Sequence, residues 1–579
     1  MNLTKRTIRD LRASFEAYDH KPSPQMWEAL TAVADTIERM AEGTLDRGTF
    51  YVSPLDPGVG KTQTIVHAVR NLSKDVGVLI CVSRLEEIRT LIREMELGPT
   101  EVGVFTGDAQ VNTLGSSDPD AARVMFTTQQ MVDSRLKDGK RFEALDVFYF
   151  NGRPRQVRIW DEAMLPGLEL TLNVDAISRL PSLLRRLSYD LAEGLLDLVG
   201  DLREASDESV YEVPDIEGTY GVELKTLKAA MDSWQVRDRE AAETLWRLSG
   251  KEVTVRHDPI GNTILDYREH LPDDFAPVLI LDASARVRTT YRFWAESRGN
   301  LIELTKAHKR YDNLTIHHWN TGGGKNAFRK KQEGLIEGVA AAINSKPDED
   351  WLVVVHKADG YKIPDLSAAI GDLTNGDRDR VKYLTWGNHH ATNDYVGIKN
   401  VVLAGILFYP PSIYEVRARA SKALPPHERL DFDDYRQIEL GEHSHLILQA
   451  ACRGAVRKCI GAVCAPCDLY LIAANSTGIP FTLGRIFPGS NVVQWEPVER
   501  PLRGKVGEAV SYLCSEFSTD DPNRQVAFKD HQRALGISDR ANYNKNIRQH
   551  PMFVQALEKM QVVEVAKGRY LSHYARQPF

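Results

Sequence analysis

Leu55-Asp56-Pro57-Gly58-Val59-Gly60-Lys61-Thr62 lies between two segments of different period. Before it, Gly48-Thr-Phe-Tyr-Val-Ser53 is a short apolar run of strand type, and after it Gln63 to Leu72 has helical spacing. A strand feeding a glycine-rich turn that opens a helix aims backbone N–H groups and a helix N-terminus at one point, which suits an anion. In such a loop Gly58 and Gly60 admit close approach of a phosphate. Lys61 would reach the β- and γ-phosphates, and the Thr62 hydroxyl would take a place on Mg²⁺. Leu55 stands where the pattern G-x-x-x-x-G-K-[ST] has its first glycine, so only the phosphate-touching part is kept.

A second element of the same chemistry follows about 100 residues later. Val157-Arg-Ile-Trp160 is a short strand, and Asp161-Glu162-Ala163 sits at its C-terminal end, where ligands gather in open α/β sheets. An aspartate there can hold Mg²⁺ through water, and the adjacent glutamate can orient or deprotonate an attacking water.

The bulk properties are those of an ordinary globular chain. At 579 residues, with 42% hydrophobic and 26% charged residues, three to four domains are expected. No apolar run approaches the ~20 residues needed to span a bilayer, and Met-Asn-Leu-Thr-Lys-Arg lacks a signal-peptide core. Six cysteines in so long a chain make no disulfide scaffold, which points to a reducing cytoplasm. The net charge is −7, but residues 501–579 hold 12 Lys and Arg against 8 Asp and Glu, a net +4, leaving −11 on the rest. An acidic body with a mildly basic tail permits localised binding of a polyanion and excludes wholesale coating of one.

Further segments in serial order resemble a superfamily 2 helicase of the DEAD/DEAH-box type, over roughly residues 20–480. Gln25, in Lys-Pro-Ser-Pro-Gln, resembles the glutamine that reads adenine. Val78 to Ser83 with Arg84 resembles motif Ia, and Thr106-Gly107 and Thr128 resemble the next strand-contacting loops. Asp161-Glu162-Ala163-Met164 departs from Asp-Glu-Ala-Asp/His at its last position. Asp282-Ala-Ser284-Ala resembles the Ser-Ala-Thr motif, which the resemblance implies couples hydrolysis to movement. Trp351 to Val355 stands at the place of motif IV; Thr385, Thr392, Asn393 and Asp394 fall at motif V. His390-Ala391 replaces the family's Arg-Gly there. Gln449 to Arg457 resembles motif VI, whose arginines reach the γ-phosphate; either Arg453 or Arg457 is the finger.

The resemblance implies an α/β fold of two tandem RecA-like domains, parallel sheets flanked by helices. They are expected over 1–165 with 271–310, and over 311–500. ATP and Mg²⁺ would lie between them. Lys61, Asp161, Glu162, Arg453 and Arg457 would be catalytic; Gln25, Gly58, Gly60, Thr62, Asp394 and Gln449 would bind nucleotide, with Thr62 and Asp161 on the metal. Ser83, Arg84, Thr106, Gly107, Thr128, Thr385, Thr392 and Asn393 would touch nucleic acid.

About 120 residues separate Asp161-Glu162 from Asp282, so 166–270 must hold an insertion. Amphipathic spacing in 180–199, 224–234 and 241–248 predicts helices there, hence a helical insertion. It would guide a strand, act as a wedge, contact a partner or simply brace the fold. Cys452, Cys459, Cys464 and Cys467 fall within 16 residues, with Cys464-Ala-Pro-Cys467 at metal-ligand spacing. Their stretch is too short to surround an ion, so small buried hydrophobes are the simpler reading.

Residues 501–579 predict a separate module. Helices are expected over 506–517 and 528–535, with Ser538 capping a third, and a hairpin turning at Lys567-Gly568. Helix-turn-helix plus hairpin is the order of a winged helix, and Arg540, Lys545 and Arg548 on its third helix suit phosphates and base edges. The function expected is an ATP-dependent helicase or translocase on nucleic acid, DNA ahead of RNA. It would work alongside replication, repair or mobile-element proteins and away from membranes. A nucleic-acid-stimulated switch or loader that remodels a protein complex without strand separation is the alternative.

Overall fold

The structure is a computed structural model that describes residues 2–17, 20–136, 140–360, 363–387, 394–497, 502, 504–518, 521, 524–566 and 571–576. The chain divides into two compact units, Met1–Trp495 and Glu496–Phe579.

The first unit is built on two parallel sheets. In the first lobe the strands run in the order Leu301–Glu303, Phe50–Val52, Val278–Leu281, Val157–Asp161, Val78–Val82, Val124–Thr128 and Val102–Phe105, each parallel to its neighbour. Runs such as Val78-Leu-Ile-Cys-Val82 are apolar at every position because helices cover both faces. Alternate residues supply the two cores: Val78, Ile80 and Val82 pack on one side, Leu79 and Cys81 on the other. The second lobe repeats the plan, in the order Val381–Thr385, Trp351–Val355, Asn400–Leu403, Cys467–Ile472, Leu314–Trp319 and Asn491–Gln494, again parallel throughout. These are two RecA-like lobes, and both present the C-terminal ends of their strands as sites for loops.

The insertion differs from the helical segment predicted. Helices are present at Leu180–Leu184, Tyr189–Glu204, Leu224–Ala230 and Val236–Leu248. With them comes an antiparallel sheet in the order Gly167–Asn173, Gly261–Glu269, Glu252–Asp258, Val210–Glu212. Its signal is strand alternation: Leu168, Leu170 and Leu172 interleave with Glu169 and Thr171.

The second unit has a helix Gly504–Glu516, a strand Gln525–Ala527, and helices Phe528–Ala534, Arg540–Tyr543 and Pro551–Lys559. Antiparallel strands Val562–Ala566 and Leu571–Arg576 follow, so the hairpin expected there is present and its turn, 567–570, lies outside the described residues. Leu513, Phe553 and Tyr574 form its core around His531. The cap of its third helix is Asp539, not Ser538: its carboxylate accepts from the Ala541 and Asn542 N–H groups at 3.1 and 2.9 Å. With two oxygens where serine has one, the carboxylate satisfies two orphan donors at once. Among the described residues no helix is long and apolar enough to cross a membrane.

Candidate nucleotide cleft

Strand Phe50–Val52 leads into the glycine-rich loop, and the helix Lys61–Asn71 starts directly from Gly60. Gly58 and Gly60 take φ of +81° and +112°, which side chains rarely adopt. There is no room for one either. A Cβ on Gly58 would lie 2.0 Å from the Arg457 carbonyl oxygen, and one on Gly60 2.3 Å from the Phe15 ring. Leu55 is fully buried in the first-lobe core, which accounts for a leucine at a position often held by glycine. Lys61 Nζ donates to the carbonyls of Leu55 and, at 3.1 Å, Asp56. Burial lowers the ammonium to about 8, against the pull of Asp56.

Asp161 ends the central strand of the first sheet. Burial, and then the charge of Glu162, push its carboxyl up to about 6. Glu162 has φ of +82°, a left-handed conformation that costs a glutamate of order 1–3 kcal/mol. Its carboxylate accepts from Arg84 Nη2 at 3.2 Å, and Arg84 Nη1 lies 3.7 Å from Glu87. Burial pushes Glu87 up to about 7, helped by the charges of Asp161 and Glu162.

The facing wall comes from the second lobe. The helix Phe432–Ala451 carries Gln449 and ends just before Arg453, while Arg457 follows in the tight turn Ala455–Arg457. Burial, with Arg457 beside it, lowers Arg453 to about 10. One cavity of about 600 Å³ is lined by Gly58, Gly60, Lys61, Thr62, Arg84, Glu87, Asp161 and Glu162 on one side, and Asp394, Gln449, Arg453 and Arg457 on the other. That volume lies within the ~300–1,000 Å³ of ligand pockets. The Thr62 hydroxyl and Asp161 carboxylate are hard oxygen donors on this one cavity, a set that fits Mg²⁺ completed by water and phosphate.

Of the residues expected on nucleotide, Gln25 stands apart: it is exposed on the first turn of the helix Pro24–Ala41 and does not line the cavity. Arg84, expected on nucleic acid, is in the cavity and bonded to Glu162 instead. Thr106 is buried, donating to Asn112 Oδ1 at 2.9 Å and accepting from the Asp108 N–H at 3.1 Å, so it organises its own loop. Thr128 caps the helix Gln129–Arg135. Ser83 and Thr385 are half-buried at strand ends, and Gly107 is exposed. Thr392 and Asn393, with His390-Ala391, lie outside the described residues. In the second unit Arg540 and Lys545 are exposed, whereas Arg548 is spent on a double hydrogen bond to Glu564, at 2.9 and 2.6 Å, over the Phe528 ring.

Several residues around the cleft carried no sequence signal of their own. Asp56 is fully buried, accepting from Arg286 Nε at 2.6 Å and the Tyr311 hydroxyl at 2.9 Å. Lys309 Nζ donates to Pro57 O at 3.0 Å and Arg457 O at 2.8 Å, clipping the glycine-rich loop to the opposite lobe. Met164, at the variant position of Asp-Glu-Ala-Met, buries its side chain and donates its N–H to the Tyr291 hydroxyl at 3.0 Å. Tyr291 donates to Asp282 at 2.9 Å, and Ser284 joins Asp282 to His445, both at 2.5 Å. The link to the second lobe thus runs through a main-chain N–H and a tyrosine. Among the described residues no three His, Cys, Asp or Glu converge as for a metal ion. Cys452, Cys464 and Cys467 are buried, and burial pushes the Cys464 thiol up to about 11.

No family model matches the chain, and no curated protein does. Among solved structures it is similar to apo XPD, at 14% identity and a TM-score of 0.48, over 80% of this chain and 99% of that one. It is similar also to S. tokodaii Xpd4, at 12% identity and a TM-score of 0.44, over the same shares. A third similar structure is Mycobacterium smegmatis helicase Lhr bound to ssDNA and AMP-PNP, at 12% identity and a TM-score of 0.38, over 100% of this chain and 60% of that one.

Proposed function

We propose that the chain is an ATP-dependent helicase or translocase of superfamily 2 type, with DNA as the favoured polymer, hydrolysing ATP between its two lobes. The observation that carries this reading is that Arg453 and Arg457 of the second lobe line the same cavity as Lys61, Thr62, Asp161 and Glu162 of the first. Phosphates meet the N–H groups that open the helix Lys61–Asn71, and Lys61 leaves its loop carbonyls for them. Mg²⁺, held by Thr62 and Asp161, neutralises phosphate charge when bound. Glu162, anchored by Arg84, orients the water whose oxygen forms the new bond to the γ-phosphorus as the β–γ bridging bond breaks, and takes its proton. An arginine arriving from the facing lobe meets the charge on the transferred group only when the cleft is closed, so hydrolysis and lobe movement depend on each other. In the second unit, the winged-helix order of elements and the exposed Arg540 and Lys545 support a nucleic-acid contact there.

The test is ATP hydrolysis against single- and double-stranded DNA and RNA, beside strand separation of a fluorescent forked duplex. DNA-stimulated hydrolysis with separation is the expected result; stimulation without separation favours the switch or loader. Lys61→Ala is expected to lower turnover by at least about a hundredfold, with circular dichroism unchanged. Wild-type turnover in that variant refutes the site.

A further inference from the structure

The insertion leaves and rejoins the first lobe, at Pro166 beside the strand Val157–Asp161 and at His270 before Val278–Leu281, yet its sheet docks on the second. Arg417, on the second-lobe helix Pro411–Lys422, donates to Glu169 of the strand Gly167–Asn173 at 2.6 Å. Asp258 accepts from the Ser412 N–H and hydroxyl at 3.0 and 2.6 Å, and a Cβ on Gly167 would lie 2.8 Å from that of Ala420.

The Glu169 contact is one end of a chain of alternating charge. Arg417 Nη1 also donates to Glu442 at 2.6 Å; Glu442 receives Arg288 at 2.6 and 2.8 Å; and Arg288 lies 4.0 Å from Asp282. Glu442 and Asp282 side chains are 1% exposed, Arg288 5% and Arg417 12%. Buried charges in such a row hold one another in place, because displacing one leaves its neighbours uncompensated. Glu442 is on the helix Phe432–Ala451, two turns before Gln449, so its position along the axis sets where Gln449 and Arg453 enter the cleft. At the other end Asp282 is bonded through Tyr291 to the segment carrying Asp161 and Glu162.

We propose that Glu169 and Arg417 are positioning residues, tying the insertion to the helix that delivers Arg453, so that this ion row, rather than the docking face as a whole, tunes hydrolysis without touching nucleotide. Glu169 contributes by occupying Arg417 Nε, which leaves Nη1 to hold Glu442 in line with Arg288. The inference rests on the reading of the cleft as an ATPase site, and it gives the insertion a part in the reaction.

The experiment uses the full chain, with steady-state hydrolysis and binding of a fluorescent ATP analogue. Glu169→Gln is expected to lower kcat about twofold to thirtyfold with KM for ATP within about twofold, and Glu169→Asp to recover part of the loss. Its effect and that of Arg453→Lys should combine to less than their product. Asp258→Asn, which loosens the same docking face outside the ion row, is expected to keep wild-type kcat at a similar melting temperature. Wild-type kcat in Glu169→Gln, independent effects in the double variant, or an equal loss in Asp258→Asn overturns the proposal. Wild-type protein that binds no nucleotide overturns the cleft reading, and the coupling with it, a result distinct from all of these.

Discussion

Gly58 meets the opposite lobe backbone to backbone, so the loop proposed to hold phosphate also seats Arg457. Gly58→Ala puts a methyl into the Arg457 carbonyl at a φ of +81°. The expected outcome is loss of hydrolysis together with about 1–3 kcal/mol of stability, read by turnover and urea unfolding. Unchanged values would mean that the lobes do not meet at this point in solution. Glu87 gives a pH-dependent test of the same cleft. Its folded-state pKa is about 7 against an ordinary 4.5, so the native state keeps a proton that the unfolded chain releases. Stability from this group therefore falls as pH rises from about 4.5 to 7, and the full cost stands above that. Glu87→Gln is expected to gain little over wild type near pH 5 and about 1–3 kcal/mol near pH 8, in melting curves without nucleotide. A gain independent of pH would show that Glu87 is not desolvated among the Asp161 and Glu162 charges.

Helices and strands divide the labour in the second unit. Arg548 and Lys545 sit on consecutive turns of one helical stretch, yet one faces the hairpin and the other solvent. Arg548→Ala breaks the tie between that stretch and the strand Val562–Ala566, where Glu564 sits. Its expected effect is on folding of the unit, seen as faster hydrogen exchange in 540–566, rather than on the salt dependence of DNA binding. Lys545→Ala is expected to do the reverse, reducing the slope of log K against log salt by about 1 with exchange unchanged. An unchanged slope would remove Lys545 from the polymer interface. The insertion shows a second division of labour: its helices bury Leu195, Leu198 and Leu245 to make a core, and its sheet carries Glu169 and Asp258 to the second lobe.

Two lobes contribute opposite walls of one cavity, so the hydrolysis proposed there would be a property of their closure. Arg453 and Arg457 both line that cavity, but their settings differ. Lys309 grips the Arg457 carbonyl, whereas Arg453 lies directly beyond the helix that Glu442 holds. Arginine fingers are worth ~10³–10⁵ in turnover. Arg453→Ala is expected to lose on that order in kcat, and Arg457→Ala less, with nucleotide affinity changed by under about tenfold in each. Single-turnover hydrolysis beside equilibrium binding checks this; the opposite ranking would move the finger to Arg457.

Much of this was written locally. Apolar runs such as Val78–Val82 and Trp351–Val355 announce strands buried on both faces, and Gly58-Val-Gly60-Lys61-Thr62 announces an anion loop, because backbone sterics and side-chain period act over a few residues. The strand alternation around Glu169 was equally readable and was outweighed by the stronger helical pattern beside it. What the chain order alone left open was which distant residues meet. Asp56 with Arg286 and Tyr311, Arg84 with Glu162, and Met164 with Tyr291 are brought together only when sheets and helices pack. A charge or donor has no period to betray its partner, so those pairings, and the docking of the insertion on the far lobe, belonged to the tertiary structure.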